Sequence, residues 1–393
     1  MGEWRICTID ELGTINRGKS KHRPRNDPKL YGGKYPFIQT ADVKKANLYI
    51  TDYSNTYSDV GLAQSKLWNK GTLCITIAAN IAESSILGID ACFPDSVVGF
   101  IPYEEKADLK FVKYLLDEFK VYMQQISKGT TQDNLSLEKL RRIKFKVPDY
   151  PTQVKIANIL SGFDDQIENN NLRIKLLEEI IELLYKHHFS SQKLQKNSQY
   201  VRLSEILSVV RGVSYSTEEI ECEEGDNLIN LKNIQSFGGF RSDGTKKYRG
   251  SYKADQIVKS GDLIMGVTDM TQDRRTVGAV ALVPEIDGVN IISADLVKIN
   301  SELDNIYLYA MFRYGNVSKY ISQFANGANV LHLKPQAVLN TKVLLPNKRL
   351  IREFSECVRP LVSKINRLNQ ANENLALQRD MLLPRLMSGK LEV

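Results

Sequence analysis

At 393 residues, 42% of them apolar and 25% charged, the chain has room for two or three domains of roughly 150 residues and a globular composition, which excludes fibrous, collagen-like and disordered readings. The longest apolar stretch, 73–89, is interrupted by Asn80 and Glu83, and the start Met1-Gly2-Glu3-Trp4-Arg5 has no apolar leader, so a cytoplasmic protein without a membrane span is expected. A net charge of +7 permits a polyanionic partner without requiring one, and the scattered cysteines Cys7, Cys74, Cys92, Cys222 and Cys357, with no C-x-x-C pair, support neither a disulfide framework nor a zinc ribbon.

The first half opens with Trp4-Arg5-Ile6, Leu12-Gly13 and Arg17-Gly18, and this pattern returns as Tyr200-Val201-Arg202-Leu203, Ile206-Leu207 and Arg211-Gly212. Phe37-Ile38-Gln39-Thr40-Ala41-Asp42-Val43 shares its apolar and polar beats with Leu228-Ile229-Asn230-Leu231-Lys232-Asn233-Ile234. Lys70-Gly71-Thr72-Leu73-Cys74-Ile75 returns as Ser260-Gly261-Asp262-Leu263-Ile264-Met265, a turn feeding a strand. Segment 129–148 matches 327–346 through Leu135/Leu333, Leu140/Val338, Lys144/Lys342, Phe145/Val343 and Val147/Leu345. An offset of about 190 to 198 residues is a domain duplication, not a solenoid. Apolar, β-branched runs predict strands over 72–78, 96–101, 143–147, 262–267, 279–283 and 295–299, and one helix per half over 111–126 and 306–324.

After each half's final proline the period changes. Ile156, Leu160, Phe163, Ile167, Asn170, Ile174, Leu177, Ile181, Leu184 and His188 recur at alternating four and three, and so do Phe354, Val358, Leu361, Ile365, Leu368, Asn372, Leu375, Arg379, Leu382 and Leu386. That spacing keeps one apolar seam facing a partner helix, the pattern of a coiled coil. The expected fold is α+β: a globular domain over 1–150, a long helix over 151–190, a linker over 191–199, a second globular domain over 200–346, and a second long helix with its tail over 347–393. Duplicated units related by a pseudo-twofold axis would run the helices antiparallel, as a dumbbell, with Asn170 opposite Asn372 as a register pin or as two solvated seam positions. Pro360 should kink the second helix or mark a later start, and Arg379 should snorkel or meet a carboxylate of a partner chain.

Gly13-Thr14-Ile15-Asn16-Arg17-Gly18-Lys19-Ser20 fits the phosphate-cradling G-x-x-x-x-G-K-S, which implies a nucleotide-hydrolysing enzyme. That loop must open a helix, and the two prolines in Lys21-His22-Arg23-Pro24-Arg25-Asn26-Asp27-Pro28 oppose one; the second copy, Arg211-Gly212-Val213-Ser214, lacks the lysine. His22, His187, His188 and His332 do not stand at metal-ligand spacing, and no methylation, dinucleotide or nuclease motif is found, so no metal and no cofactor of its own is expected.

A polyanion would meet Arg17, Lys19, Lys21, Arg23 and Arg25, which carry no acidic residue among them, and in the second half Arg241, Lys246, Lys247, Arg249, Arg274 and Arg275. Thr130, Thr131, Gln132 and Asn134, with Asn326, Asn329 and His332, stand before the last strand of each half and have side chains able to read base edges; as ordinary turn residues they would do no more than shape the loop.

This layout resembles the specificity subunit of Type I restriction-modification systems. The resemblance is carried by Ile143-Lys144-Phe145-Lys146-Val147-Pro148 leading into Gln153-Val154-Lys155-Ile156-Ala157, and by the tail Leu382-Leu383-Pro384-Arg385-Leu386-Met387-Ser388-Gly389-Lys390-Leu391. The family often has Glu-Gln where this chain has Thr152-Gln153, and no Gln follows Pro346. The resemblance implies two target recognition domains, each reading one half of a bipartite double-stranded DNA site, with the helices as spacer. It also implies two adenine methyltransferase subunits that bind S-adenosylmethionine, and ATP-dependent restriction subunits. A coiled-coil adaptor that binds only proteins is the alternative on the same seams.

Overall fold

A computed structural model describes residues 4–128, 134–189, 198–220 and 223–393. The chain forms two units, Met1–Asn171 with Gln370–Val393, and Leu172–Asn369. The first long helix, Tyr150–His188, and the second, Lys348–Met387, each contribute one end to each unit.

In the first unit the strands Gly13–Arg17, Val97–Pro102, Leu73–Thr76, Ser84–Leu87 and Tyr49–Ile50 lie side by side in that order. Leu73–Thr76 and Ser84–Leu87 are buried at every position, which is why they read as continuous apolar runs and not as alternation. A second sheet orders Asn55–Tyr57, Tyr31–Phe37, Ala91–Cys92 and Leu67–Trp68, and Arg5–Cys7 pairs with Phe145–Val147. The core joins Leu73, Phe100, Phe111 and Phe145 to Ile156, Ala157 and Leu160 of the first long helix and Leu386 and Met387 of the second.

The second unit repeats this topology with two differences. Leu207–Arg211, Leu296–Ser301, Leu263–Gly266 and Val280–Leu282 form one sheet; Lys246–Tyr248, Asp226–Ile229, Asn290–Ile292 and Ile257–Val258 form the other; Ser198–Arg202 pairs with Lys342–Pro346. The duplication holds to single hydrogen bonds. Gly71 and Gly261 both have φ of 86°, and both donate at 2.8 Å to the strand beyond, at Leu87 and Val283. Leu135 N–H donates to the Ile77 carbonyl at 2.9 Å, and Leu333 N–H to Val267 at 2.8 Å. A fifth strand, Tyr49–Ile50, marks the first unit, and the pair Thr268–Asp269 with Leu331–His332 marks the second.

The helix predicted in each half is two helices. Leu109–Glu118 and Lys120–Ser127 meet at Phe119, while Asn305–Tyr314 and Val317–Ser322 are separated by Gly315 and by Asn316, whose φ of 61° stops the first. Helix Lys348–Met387 starts before Pro360 and passes through it, with Pro360 on an exposed face.

Within the first unit the two helical segments run antiparallel. Asn170 Nδ2 donates to Asn372 Oδ1 at 2.8 Å, and Asn372 Nδ2 donates to Asn171 Oδ1 at 2.9 Å. Arg379 needs no partner chain, because it pairs with Asp164 of the same unit, a carboxylate only 2% exposed that also accepts from the Tyr114 hydroxyl. Burial, with the Asp164 charge beside it, pushes the Tyr114 hydroxyl far up, so it stays protonated and donates. Replacing Asp164 by Ala strands the half-buried Arg379 charge and is expected to cost about 3 kcal/mol, read as a fall in the urea midpoint; a midpoint unchanged from wild type would remove this pair from the account.

Candidate nucleic-acid interface

Strand pairing decides which loops meet. Arg17 lies opposite Val98, and Val98 opposite Ile75, so strands Gly13–Arg17 and Leu73–Thr76 end at the same edge of their sheet. From that edge leave the basic loop 18–27 and the loop 77–83, and Leu135 docks on Ile77 beside them. Thr130, Thr131 and Gln132 lie outside the described residues; Asn134 is exposed at this edge.

The strand expected over 72–78 runs into loop 77–83, and nothing in the sequence shows the loop's shape. Ala79, Asn80 and Ala82 hold positive φ of 47°, 33° and 65°, conformations that side chains other than glycine rarely adopt. The Thr76 hydroxyl holds the loop shut by accepting Glu83 N–H at 2.9 Å and donating to the Asn80 carbonyl.

In the basic loop Arg17, Lys19 and Lys21 are exposed and form no ion pair among the described residues. Arg23 and Arg25 are spent internally: Arg23 donates to the Ser20 and His22 carbonyls at 2.7 and 2.9 Å, and Arg25 grips both Asp95 carboxylate oxygens at 2.9 Å. The two glycines of the phosphate-loop pattern answer to packing. A Cβ on Gly13 would meet the Ile101 carbonyl at 2.3 Å, and one on Gly18 the Phe93 carbonyl at 2.3 Å. Gly13–Arg17 is itself strand, no helix follows over 18–27, and Ser20 is buried, so no cradle of helix amides forms. Gly212 meets the Ile292 carbonyl in the same way, at 2.1 Å, which explains why Arg-Gly recurs while the lysine does not.

In the second unit the equivalent edge carries loop 267–277 and turn 326–332. Thr268–Asp269 pairs with Leu331–His332, Asn326 bridges His332, and Gln272 Nε2 donates to the Ala328 carbonyl at 3.0 Å. Arg274, Arg275, Asn326, Asn329 and His332 are thereby gathered, all exposed, with Arg274 free of ion pairs among the described residues and Arg275 on Asp273 at 2.6 Å. Arg241 pairs with Asp243 at 2.6 Å on the segment leaving the neighbouring hairpin 234–240. Lys246, Lys247 and Arg249 lie instead along and just past the edge strand Lys246–Tyr248, with Lys247 on Asn227 at 3.0 Å and Arg249 on the Glu224 carbonyl at 2.8 Å; none of these bonds reaches the gathered set.

Sequence reasoning missed the residue that organises this edge. Asp269, 1% exposed, accepts from the Thr276, Val277 and Thr271 amides at 2.6, 3.2 and 2.8 Å and from the Thr271 hydroxyl at 2.8 Å. Burial alone would raise its carboxyl, but these donors outweigh burial and hold it below the ordinary value.

Residues 1–179 match the family described as Type I restriction modification DNA specificity domain. The chain is similar to Type I specificity subunits over its whole length. It is 26% identical to the Type I restriction enzyme MjaIX specificity subunit of Methanocaldococcus jannaschii, over all of this chain and 94% of that one. It is 22% identical to the HindI specificity subunit of Haemophilus influenzae, over the whole of both. In fold it resembles the crystal structure of the Type-I restriction-modification system S subunit from M. genitalium, with a TM-score of 0.59 at 16% identity, covering 98% of this chain and 96% of that one. Among the described residues no helix is long and apolar enough to cross a membrane.

Asp269→Asn keeps the shape but replaces two acceptor oxygens by one, and is expected to cost about 2 kcal/mol at neutral pH. A carboxyl held low when folded contributes stability above its unfolded value of about 3.9 and loses it as pH falls through the lower folded value, so the gap between wild type and variant should close on acidification. Denaturation midpoints across pH check this; a gap independent of pH would contradict it.

Proposed function

We propose that the chain is the non-catalytic, cytoplasmic DNA-binding specificity subunit of a Type I restriction-modification complex, each unit reading one half of a bipartite site. The observation that carries this is the same sheet edge built twice, with Arg17, Lys19 and Lys21 unpaired at the first and Arg274 at the second, each beside exposed polar side chains. Cations there suit phosphates, which position a protein on the duplex, and amide and imidazole side chains suit base edges, which specify. Arg17, Lys19, Lys21 and Arg274 take the first role, and Asn134, Asn326, Asn329 and His332 the second. Each unit supplies its own base readers, so discrimination multiplies across the two half-sites.

Reaction chemistry then belongs to partners: two adenine methyltransferase subunits that bind S-adenosylmethionine and flip the base, and ATP-dependent restriction subunits. Leu172, Leu176, Ile180 and Leu183 support docking on the helices, since they form an exposed apolar stripe at helical spacing on Tyr150–His188 that water alone does not explain.

Mapping methylated adenines across the source genome, with and without this gene, tests the proposal: loss of one two-part motif is expected, and an unchanged methylome overturns it. In binding assays, Lys19→Ala with Lys21→Ala should flatten the dependence of log affinity on log salt by about one for each phosphate left without its cation. Arg25→Ala should alter the slope less, because Asp95 already holds that guanidinium.

A further inference from the structure

We propose, building on the DNA-reading role, that Phe237 recognises the C5-methyl group of a thymine in the half-site read by the second unit. Phe237 is at the tip of a hairpin closed by the Ile234–Phe240 bridge, where Gln235 N–H donates to the Gly239 carbonyl at 2.9 Å and Gly238 N–H to Gln235 at 3.0 Å. Phe237, Gly238 and Gly239 hold φ of 66°, 119° and 110° in succession. Glycine adopts such angles freely; phenylalanine does not. The cost is not offset by burial, since the Phe237 side chain is 65% exposed and belongs to no apolar cluster among the described residues. Met270, at the tip of the neighbouring loop, is 76% exposed and equally without a core.

The hairpin is fixed to the gathered edge, because Phe237 N–H donates to the Arg275 carbonyl at 2.6 Å and Gly239 N–H to Val280 at 2.9 Å. An apolar tip is therefore presented beside Arg275, next to the loop that carries Met270 and Arg274. Arg274 forms no ion pair among the described residues, and the Arg275–Asp273 pair is exposed at both partners. A surface of cations around an apolar tip is complementary to a duplex whose phosphates flank a groove. The apolar group that a base pair displays at the major-groove edge is the thymine methyl, and aromatic packing against it is a direct form of readout.

The test uses the full chain with its methyltransferase subunits and duplexes bearing the motif found by methylation mapping, with each thymine of the relevant half-site replaced in turn by deoxyuridine. Loss of one methyl at one position should weaken wild-type binding about fivefold. Phe237→Asn, which suits a positive φ and should leave the denaturation midpoint unchanged or raised, should bind thymine about fivefold more weakly and no longer distinguish it from uracil. A variant that keeps the wild-type preference for thymine at every position overturns this inference and leaves the DNA-reading role intact. Absence of any motif-selective binding by the wild-type complex overturns both.

Discussion

In each unit a carboxylate of the first long helix, Asp164 or Glu178, is held by a side chain of the globular part, and the rest of the unit depends on that constraint. In the first unit Asp164 of the helix is gripped by Tyr114, from the helix that packs on strand Ser84–Leu87, and by Arg379 of the opposing helix. In the second, Glu178 holds Arg313 through hydrogen bonds of 2.9 and 3.1 Å, and Arg313 also donates to the Tyr309 hydroxyl. Such pairs add little net stability over apolar packing, yet removing one partner is severe, so they fix geometry more than they supply energy. The stem of Arg313 passes beneath Gly238, with its Cγ and Cδ 3.5 and 3.3 Å from where a Cβ would stand there. A contiguous path of packed atoms thus joins helix, globular helix and the hairpin that carries Phe237.

The shared loop edge follows from sheet direction. Two strands running the same way on either side of an antiparallel neighbour must release their loops at one end, and both units use that arrangement. Close strand packing at Gly18 and Gly212 then dictates the glycine after the arginine, which is how a structural requirement came to imitate a nucleotide-binding pattern.

The seams and the duplication were legible because both are periodic: heptad spacing and a fixed offset survive in sequence whatever the side chains touch. The strands expected over 72–78, 96–101, 143–147, 262–267, 279–283 and 295–299 were legible for a different reason, as short apolar, β-branched runs. The second sheet of each unit was not, since Ala91–Cys92, Leu67–Trp68 and Ile257–Val258 have two residues each and no period to display. Nor were the split helices, where one left-handed Asn316 outweighs an unbroken apolar rhythm. At the site, charge was readable but its availability was not: Arg23 and Arg25 look as free as Lys19 and Lys21 until Ser20, His22 and Asp95 are placed beside them. Asp269 and Phe237 matter through a burial and a backbone angle that no local pattern encodes.

Two independently built loop edges separate the parts of the specificity proposed for them. Exchanging residues 200–346 for the matching segment of a relative with a different target, and mapping the methylated motif, examines this most directly. One half-site should change while the other half and the gap stay as they were. A motif altered in both halves would contradict independent readers, and with it the account of how this chain recognises DNA.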